Sequence, residues 1–429
     1  MRVLMVQTFY YQRGGDSTYM LGLSKLLEER GHEVVPFGME TANNLPTPYA
    51  RYFVSEIDFP ALLARRSPGA AWRVLARSVY SGEARRKIAE LADAVKPDVA
   101  HFHNIHAHLT TSIVAPLSAR GVPIVWTLHD FRLVCPNTSF LRGGEICERC
   151  LPNRFYEAVL RRCKKGSLPA SLVAAITTLY DRAARVPSRI DRFVAPSAFL
   201  KRKLAEGGFD PARIAVVPNF VDLDSYRALP EKDYFVYIGR LLHEKGLDHL
   251  VRAVSKLDRG RLVIVGEGPV EGDLRALVRE LGTDRVEFAG HRSGEELRRL
   301  VAESQFVVLP SRWYENLPFA IMEAMASSKP VVASDLGGIP EMVDDGATGL
   351  LFPAGDVDAL AGRLRSMLAD RAAREEMGRR GREKAERLYG RDAHYERIMG
   401  IYGEVAGGKR GGGFDESSGE TGRGVAQSG

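Results

Sequence analysis

Three short runs in the second half of the chain join glycine to ionisable side chains in patterns suited to anions and polyols. GRLLHEKG, residues 239–246, carries Gly239, Arg240 and Lys245 between an apolar run and a helical pattern. Glycine allows a sharp turn, and a helix start flanked by Arg and Lys suits a phosphate group. Taken alone, the loop reads equally well as a solvated basic turn. VIVGEGP, residues 263–269, brings backbone close to something at Gly266 and Gly268 but lacks the third glycine of a dinucleotide fingerprint. The run at 309–341 separates Glu315 from Glu323 by seven residues, with Pro318 suited to the first turn of a helix. The amides around 316–319 point outward from that helix start. Carboxylates accept paired hydroxyl donors, so Glu315 in the loop suits a sugar and Glu323 in the helix suits a ribose diol. The bland alternative is a pair of solvated or salt-bridged glutamates.

The first half offers two further clusters. HFHNIHAH (101–108) packs four histidines into eight residues, and TLHD (127–130) ends the next strand-like run. The histidines read as ligand contacts, a metal site or a polar loop. Cys135, Cys147, Cys150 and Cys163 form C-x11-C-x2-C-x12-C. In a reducing compartment this spacing reads first as a structural zinc site, with two disulfides or four unlinked thiols as the alternatives.

The elements that must carry these residues alternate strand and helix. Residues 2–7, 32–38, 98–103, 122–130, 191–197 and 213–219 are strand-like, with helical stripes between them. Stretches 40–80 and 131–190 interrupt the rhythm as insertions. Residues 220–232 read as a linker, after which the alternation resumes from 234 to 334. The pattern predicts two α/β domains with parallel sheets and a ligand cleft at the strand ends between them. We place the domains at 1–222 (Cys insertion about 131–165) and 223–385, followed by a helix at 386–406 returning to the first domain. The glycine-rich stretch 407–429 cannot bury enough apolar surface to order itself. The 429 residues, 45% hydrophobic and 27% charged with net charge +6, suit an ordinary two-domain globular chain. They exclude a collagen-like or disulfide-dense scaffold. The N-terminus lacks a secretory leader pattern, so a cytoplasmic setting is expected.

GRLLHEKGLDHL, IVGEGP and SRWYENLPFAIMEAMASSKPVVASDLGGIPEMVDDGATGLLF closely resemble the C-terminal domain of family-4 retaining glycosyltransferases of the GT-B fold. The first strand, Gly14–Gly15 and ERGHEV match at the N-terminus. This resemblance implies a sugar transfer from a nucleotide-diphosphate sugar to an acceptor hydroxyl with retained configuration, with no cofactor required for catalysis. It assigns Arg240 and Lys245 to the diphosphate, Glu315 to the transferred sugar, and Glu323 to the ribose. The amides of Asn316, Leu317 and Phe319 lie near the sugar, and Gly14, Gly15 and Gly266 complete the donor site. His129 orients the sugar or acceptor, with Asp130 supporting its ring, and His103 and Asn104 contact the acceptor. Asn-Leu-Pro stands where many relatives have Gly-Phe-Gly, which puts the sugar's identity in question. The CPN…ICERC…RC insertion is similar to that of capsular and surface polysaccharide transferases.

Residues 151–203 hold twelve Lys/Arg against three Asp/Glu around an apolar helix candidate at 168–180. Such a flank suits an anionic membrane carrying a lipid-linked acceptor; a soluble basic surface or a packed helix is the alternative. Two competing functions are a nucleotide-sugar epimerase or other GT-B enzyme, and a zinc-containing nucleic-acid-binding or scaffold protein. Interleaved aromatics and a known module are missing, so nucleic acid is not an expected partner.

Overall fold

Runs such as VLMV (3–6), IVW (124–126) and LVIV (262–265) are apolar at every position, as parallel strands covered on both faces must be. The computed structural model describes residues 1–56, 69 and 76–407. Its first half contains β1 (Arg2–Val6), α1 (Gly15–Glu29), β2 (Glu33–Phe37), α2 (Gly82–Val95), β3 (Val99–Phe102), α3 (Val114–Ala119) and β4 (Ile124–Thr127). These are followed by the hairpin β5 (Leu141–Arg142) and β6 (Glu145–Ile146), then α4 (Tyr156–Leu160), α5 (Leu168–Ala183), β7 (Arg192–Ala195), α6 (Ala198–Glu206) and β8 (Ile214–Val216).

The second half contains β9 (Phe235–Ile238), α7 (Leu247–Ser255), β10 (Leu262–Val265), α8 (Glu271–Glu280), β11 (Val286–Gly290), α9 (Gly294–Ala302) and β12 (Val307–Leu309). It continues with α10 (Phe319–Ala326), β13 (Val331–Ser334), α11 (Ile339–Met342), β14 (Gly349–Phe352), α12 (Val357–Ala369), α13 (Arg371–Leu388) and α14 (Arg391–Gly407).

The first sheet runs β2-β1-β3-β4-β7-β8 and the second β11-β10-β9-β12-β13-β14, every pair parallel. Each order reverses once, between β1 and β3 in the first sheet and between β9 and β12 in the second. Ligands of open α/β sheets bind at such switch points, beyond the carboxyl ends of the strands. The loops found there are the ones carrying Gly14–Gly15, His103–Asn104, Gly239–Lys245 and Trp313–Phe319.

The chain crosses between domains twice. The crossings meet where the Val221 amide donates to the Tyr389 carbonyl at 2.9 Å. After the second crossing, α14 packs on the first domain. Its Ile398, Ile401 and Tyr402 join Val3, Met5, Tyr19 and Leu23 in one buried cluster. The Tyr402 hydroxyl meets His101 Nδ1 at 2.6 Å. The interruption at 131–190 is built from the β5–β6 hairpin, α4 and α5, and it holds all four cysteines. The interruption at 40–80 lies partly outside the described residues, as does the glycine-rich tail beyond Gly407.

Candidate active site

Two cavities open between the domains, of 460 Å³ and 320 Å³, with Asp16, Asn104 and Asp130 as their common wall. The larger is lined from the second domain by Lys245, Trp313, Glu315, Asn316, Leu317 and Phe319, and from the first by Gly15 and His129. The smaller is lined by Arg13, Gly14, Arg132 and Arg240 at the amino end of α1. That end has unpaired first-turn amides and a positive dipole, so three guanidiniums and a helix start converge on one space suited to an anion.

Glu315 is buried and fixed. Its Oε1 accepts from Lys245 Nζ at 2.6 Å, Ser311 Oγ at 2.6 Å and Trp313 Nε1 at 2.8 Å. Burial pushes its carboxyl up, but the Lys245 ammonium and these hydrogen bonds outweigh burial and hold it below the usual range. The loop is clamped from beneath. Gly338 N–H donates to the Glu315 carbonyl at 2.8 Å, and a Cβ at Gly337 or Gly338 would overlap the backbone of Glu315 or Asn316. The GG of DLGGIPE therefore serves close backbone packing.

His129 faces the larger cavity from the end of β4. Its Nε2 lies 3.1 Å from His103 Nδ1, and His103 Nε2 lies 3.0 Å from Met5 Sδ. A thioether offers only acceptance, so His103 Nε2–H donates to it and Nδ1 must accept from His129 Nε2–H. This assigns a lone pair to His129 Nδ1, ready to accept a hydroxyl. Burial pushes both rings below the ordinary histidine range, against the opposing charges of Asp16 and Asp130 at His129.

The structure corrects three expectations. His103 does not reach the acceptor side: it is buried behind His129 and beside His101, because alternate residues leaving β3 face the same way. Asn104, next in the chain, does face the cleft, where its Nδ2 donates to Asp16 Oδ2 at 2.6 Å. Gly266 does not line the cleft: a Cβ there would overlap the Gly239 carbonyl, and one at Gly268 the Leu241 carbonyl, so what approaches these glycines is the neighbouring loop. Asp130 does not hold the His129 ring; its Oδ1 accepts from the Arg132 amide at 2.9 Å.

The four cysteines lie in the 131–190 interruption. All four are free thiols. They lie close enough for Cys150, pushed up to about 12 chiefly by burial, to feel Cys135, Cys163 and Cys147. Among the described residues, however, no three His, Cys, Asp or Glu side chains converge to hold a metal ion. Cys135 and Cys150 are buried, and buried thiols pack as small apolar groups.

Glu323 stands one helical turn beyond the Phe319–Ala320 wall of the larger cavity and does not itself line it. Burial raises its carboxyl to about 7, opposed by a 3.4 Å hydrogen bond from the Tyr226 hydroxyl and by Arg298.

Several participants had no sequence signal. Asp16 lines both cavities. Asn219 Oδ1 and Gln7 Oε1, like Nδ2 of the predicted Asn316, are buried in the cavity walls with no hydrogen-bond partner. Such orphans are rare in folded proteins and fit a polar ligand supplied from outside. Glu341 accepts from the Ala198 and Phe199 amides at 2.7 and 2.5 Å, so a carboxylate of the second domain caps a helix of the first. Ser197 Oγ donates to Asn316 Oδ1 at 2.7 Å, and the Tyr314 hydroxyl donates to Glu148 Oε1 at 2.7 Å. All three contacts cross the cleft.

Comparison with known proteins agrees with this division. Residues 13–225 match the family described as Glycosyltransferase Family 4, and residues 222–384 match Glycosyl transferases group 1. The chain is 30% identical over 332 residues to the 2-deoxystreptamine glucosyltransferase of Streptomyces kanamyceticus, covering 71% of this chain and 78% of that protein. It is 29% identical over 412 residues to the D-inositol 3-phosphate glycosyltransferase of Salinispora tropica, covering 91% and 81%. Among solved structures, sucrose-phosphate synthase from Thermosynechococcus elongatus superposes with a TM-score of 0.69 at 20% identity, covering 95% of this chain and 99% of that one. Anabaena HepE in complex with UDP and glucose gives 0.65 at 16% identity, covering 94% and 100%. With its two halves matching the two domain families in order, and its fold shared with these structures, the chain belongs to the family-4 type glycosyltransferases of the GT-B fold.

Proposed function

We propose that the enzyme moves a sugar from a nucleoside-diphosphate sugar to an acceptor hydroxyl with retention of anomeric configuration, in the synthesis of a polysaccharide or glycolipid. The observation that carries this reading is the convergence of Arg13, Arg132 and Arg240 on the amino end of α1, beside a cavity holding the Lys245–Glu315 pair. A diphosphate suits the cationic space, and a sugar suits the larger cavity with its orphaned Asn316 and Asn219. HepE, which shares the fold, is described in complex with UDP and glucose.

In this reading Lys245 and Arg240 stabilise charge on the departing diphosphate. Glu315, held ionised, accepts sugar hydroxyls with its second oxygen. His129 Nδ1 accepts a hydroxyl of sugar or acceptor. The anomeric C–O bond to phosphate breaks as the acceptor oxygen bonds the same face, and the acceptor proton passes to the leaving phosphate oxygen. Neither glutamate then serves as a glycosidase-like nucleophile, and the carboxylate-separation rule of glycosidases does not apply.

A thermal-shift series against nucleoside diphosphates and their sugars tests the donor. One nucleotide class should raise Tm, and a flat series across all of them overturns the reading. Proton NMR of the first product tests the stereochemistry: an anomer inverted relative to the donor overturns retention.

A further inference from the structure

Helix α5 is built inside out. Its buried face carries Ser171, Thr177, Thr178 and Asp181 together with Ala175. These polar groups are satisfied where they sit. Ser171 Oγ accepts the Lys164 amide at 2.9 Å, Thr178 Oγ1 donates to the Ala174 carbonyl at 3.0 Å, and Thr111 Oγ1 donates to Asp181 Oδ1 at 2.5 Å. The outward stripe, at helical spacing, is Leu168, Leu172, Ile176, Leu179 and Ala183. Leu168, Leu172 and Leu179, with Tyr156 and Leu160 on the adjoining α4, are 45–73% exposed. They make up half of the large exposed hydrophobics among the described residues. A helix on an ordinary soluble surface shows the reverse arrangement, and a concentrated exposed apolar patch marks an interaction surface.

Charge identifies the partner. Arg154, Arg162 and Lys165 lie around the junction of α4 and α5, and Arg185 and Arg189 follow the far end of α5; all are exposed. The three carboxylates of this segment are occupied. Glu157 pairs with Arg161 at 2.7 Å, Asp181 takes Thr111, and Asp191 accepts the Ile124 amide at 2.7 Å. The outward face is therefore leucine rimmed by cations, and two copies of it would meet cation to cation. No described helix is long and apolar enough to cross a membrane, so such a face lies on a bilayer rather than through it. The α4–α5 junction also adjoins the cleft: Lys164 feels the charges of Arg132 and Asp130, both walls of the smaller cavity.

We propose that α4 and α5 form a docking surface for an anionic lipid bilayer, with Leu168, Leu172 and Leu179 entering the headgroup boundary and Arg162, Lys165 and Arg185 contacting lipid phosphates. The surface stands apart from the donor reading above. Vesicle binding tests it, whereas nucleotide-sugar turnover tests that reading, so the two fail separately.

The test is flotation of the full chain with vesicles of phosphatidylcholine alone, or with about one third phosphatidylglycerol. Binding is expected on the anionic vesicles only, falling roughly tenfold or more at about 0.5 M salt as the charges are screened. Leu172→Glu/Leu179→Glu should lower it at least about tenfold by removing the buried apolar area, and Arg162→Glu/Lys165→Glu should do so by reversing the charge. The substituted side chains are exposed, so far-ultraviolet circular dichroism and turnover on a water-soluble acceptor should match the parent. Failure to bind anionic vesicles, salt-insensitive binding to neutral ones, or unchanged binding by both variants overturns the proposal. So does a dimer in solution that the leucine variant dissolves, which would assign the face to a second copy.

Discussion

The two walls of the cleft differ in what holds their central groups. The second domain presents charge already paired: Glu315 and Lys245 are 2.6 Å apart, with Ser311 and Trp313 completing the carboxylate's partners. The first domain, whose wall also carries Asp16, Asp130, Arg13 and Arg132, backs His129 with neutral imidazoles in contact. His101, His103 and His129 are all pushed below the ordinary range by burial. A wall of fixed charges meets the ionic part of a ligand without rearranging. A neutral ring held by buried rings behind it orients a hydroxyl by lone pair and shape. The contrast teaches that the two domains should fail under opposite conditions.

Acid should break the first wall before the second, with the largest effect. His101 is lowered from 6.5 to about 3, so the unfolded chain binds its proton more readily than the folded one. Its stabilising contribution is present above pH 6.5 and is lost as pH falls toward 3, on the order of 5 kcal/mol for this one group. His394, lowered to about 4 mainly by burial, adds in the same direction. Hydrogen exchange near pH 4.5 should show β1, β3 and α14 opening first. Equal protection of the two sheets would erase the contrast.

Next in size is Lys245→Ala. It removes a cation from the cavity and leaves Glu315 buried without its partner. We expect turnover to fall about 10²–10³-fold and stability by roughly 3 kcal/mol. His129→Ala should cost turnover with a smaller stability loss, about 1 kcal/mol, because it leaves His103 Nδ1 without its donor but strands no charge. Steady-state rates and melting curves of both variants separate the walls, and a Tm loss for His129→Ala equal to that for Lys245→Ala would blur them.

Glu323→Gln sharpens the comparison in the alkaline direction. The folded carboxyl, raised from 4.5 to about 7, binds its proton more tightly than the unfolded one. Its contribution is full below pH 4.5 and is lost as pH rises through 7. The amide variant should therefore be more stable at pH 8 by about 1–3 kcal/mol while binding the nucleotide more weakly. Melting curves from pH 5 to 9 check the first effect, and calorimetric titration the second. The smallest effect is expected for Tyr314→Phe, which removes the hydrogen bond to Glu148 across the cleft. A loss near 1 kcal/mol should appear chiefly in the KM for donor.

Much of this was legible in the residues, and the failures share a cause. Strands covered on both faces read as unbroken apolar runs, and Gly239, Glu315 and Asn316 fell on loops whose place follows from strand order. What escaped depends on partners distant in sequence. Glu341 looked like part of a turn until Ala198 and Phe199, some 140 residues earlier, supplied the amides it caps. His103 read as a cleft residue because it ends the strand-like run 98–103, yet the two-residue alternation of that strand turns it the same way as the buried His101. Asp16 and Asn219 stood in no motif.

The returning helix α14 has a consequence for synthesis. Domains ordinarily finish folding in the order they leave the ribosome. Here the buried cluster around Val3, Met5 and Tyr19 lacks Ile398, Ile401 and Tyr402 until the last described segment has been made. The Tyr19 hydroxyl meets a ring nitrogen 375 positions away, that of His394, at 3.0 Å. The second domain contains its own core and can close first, while the earlier half waits about ten to forty seconds at ordinary elongation rates with one face of its sheet uncovered. The nascent enzyme therefore matures in reverse order, and the arrival of α14 is the event that completes it.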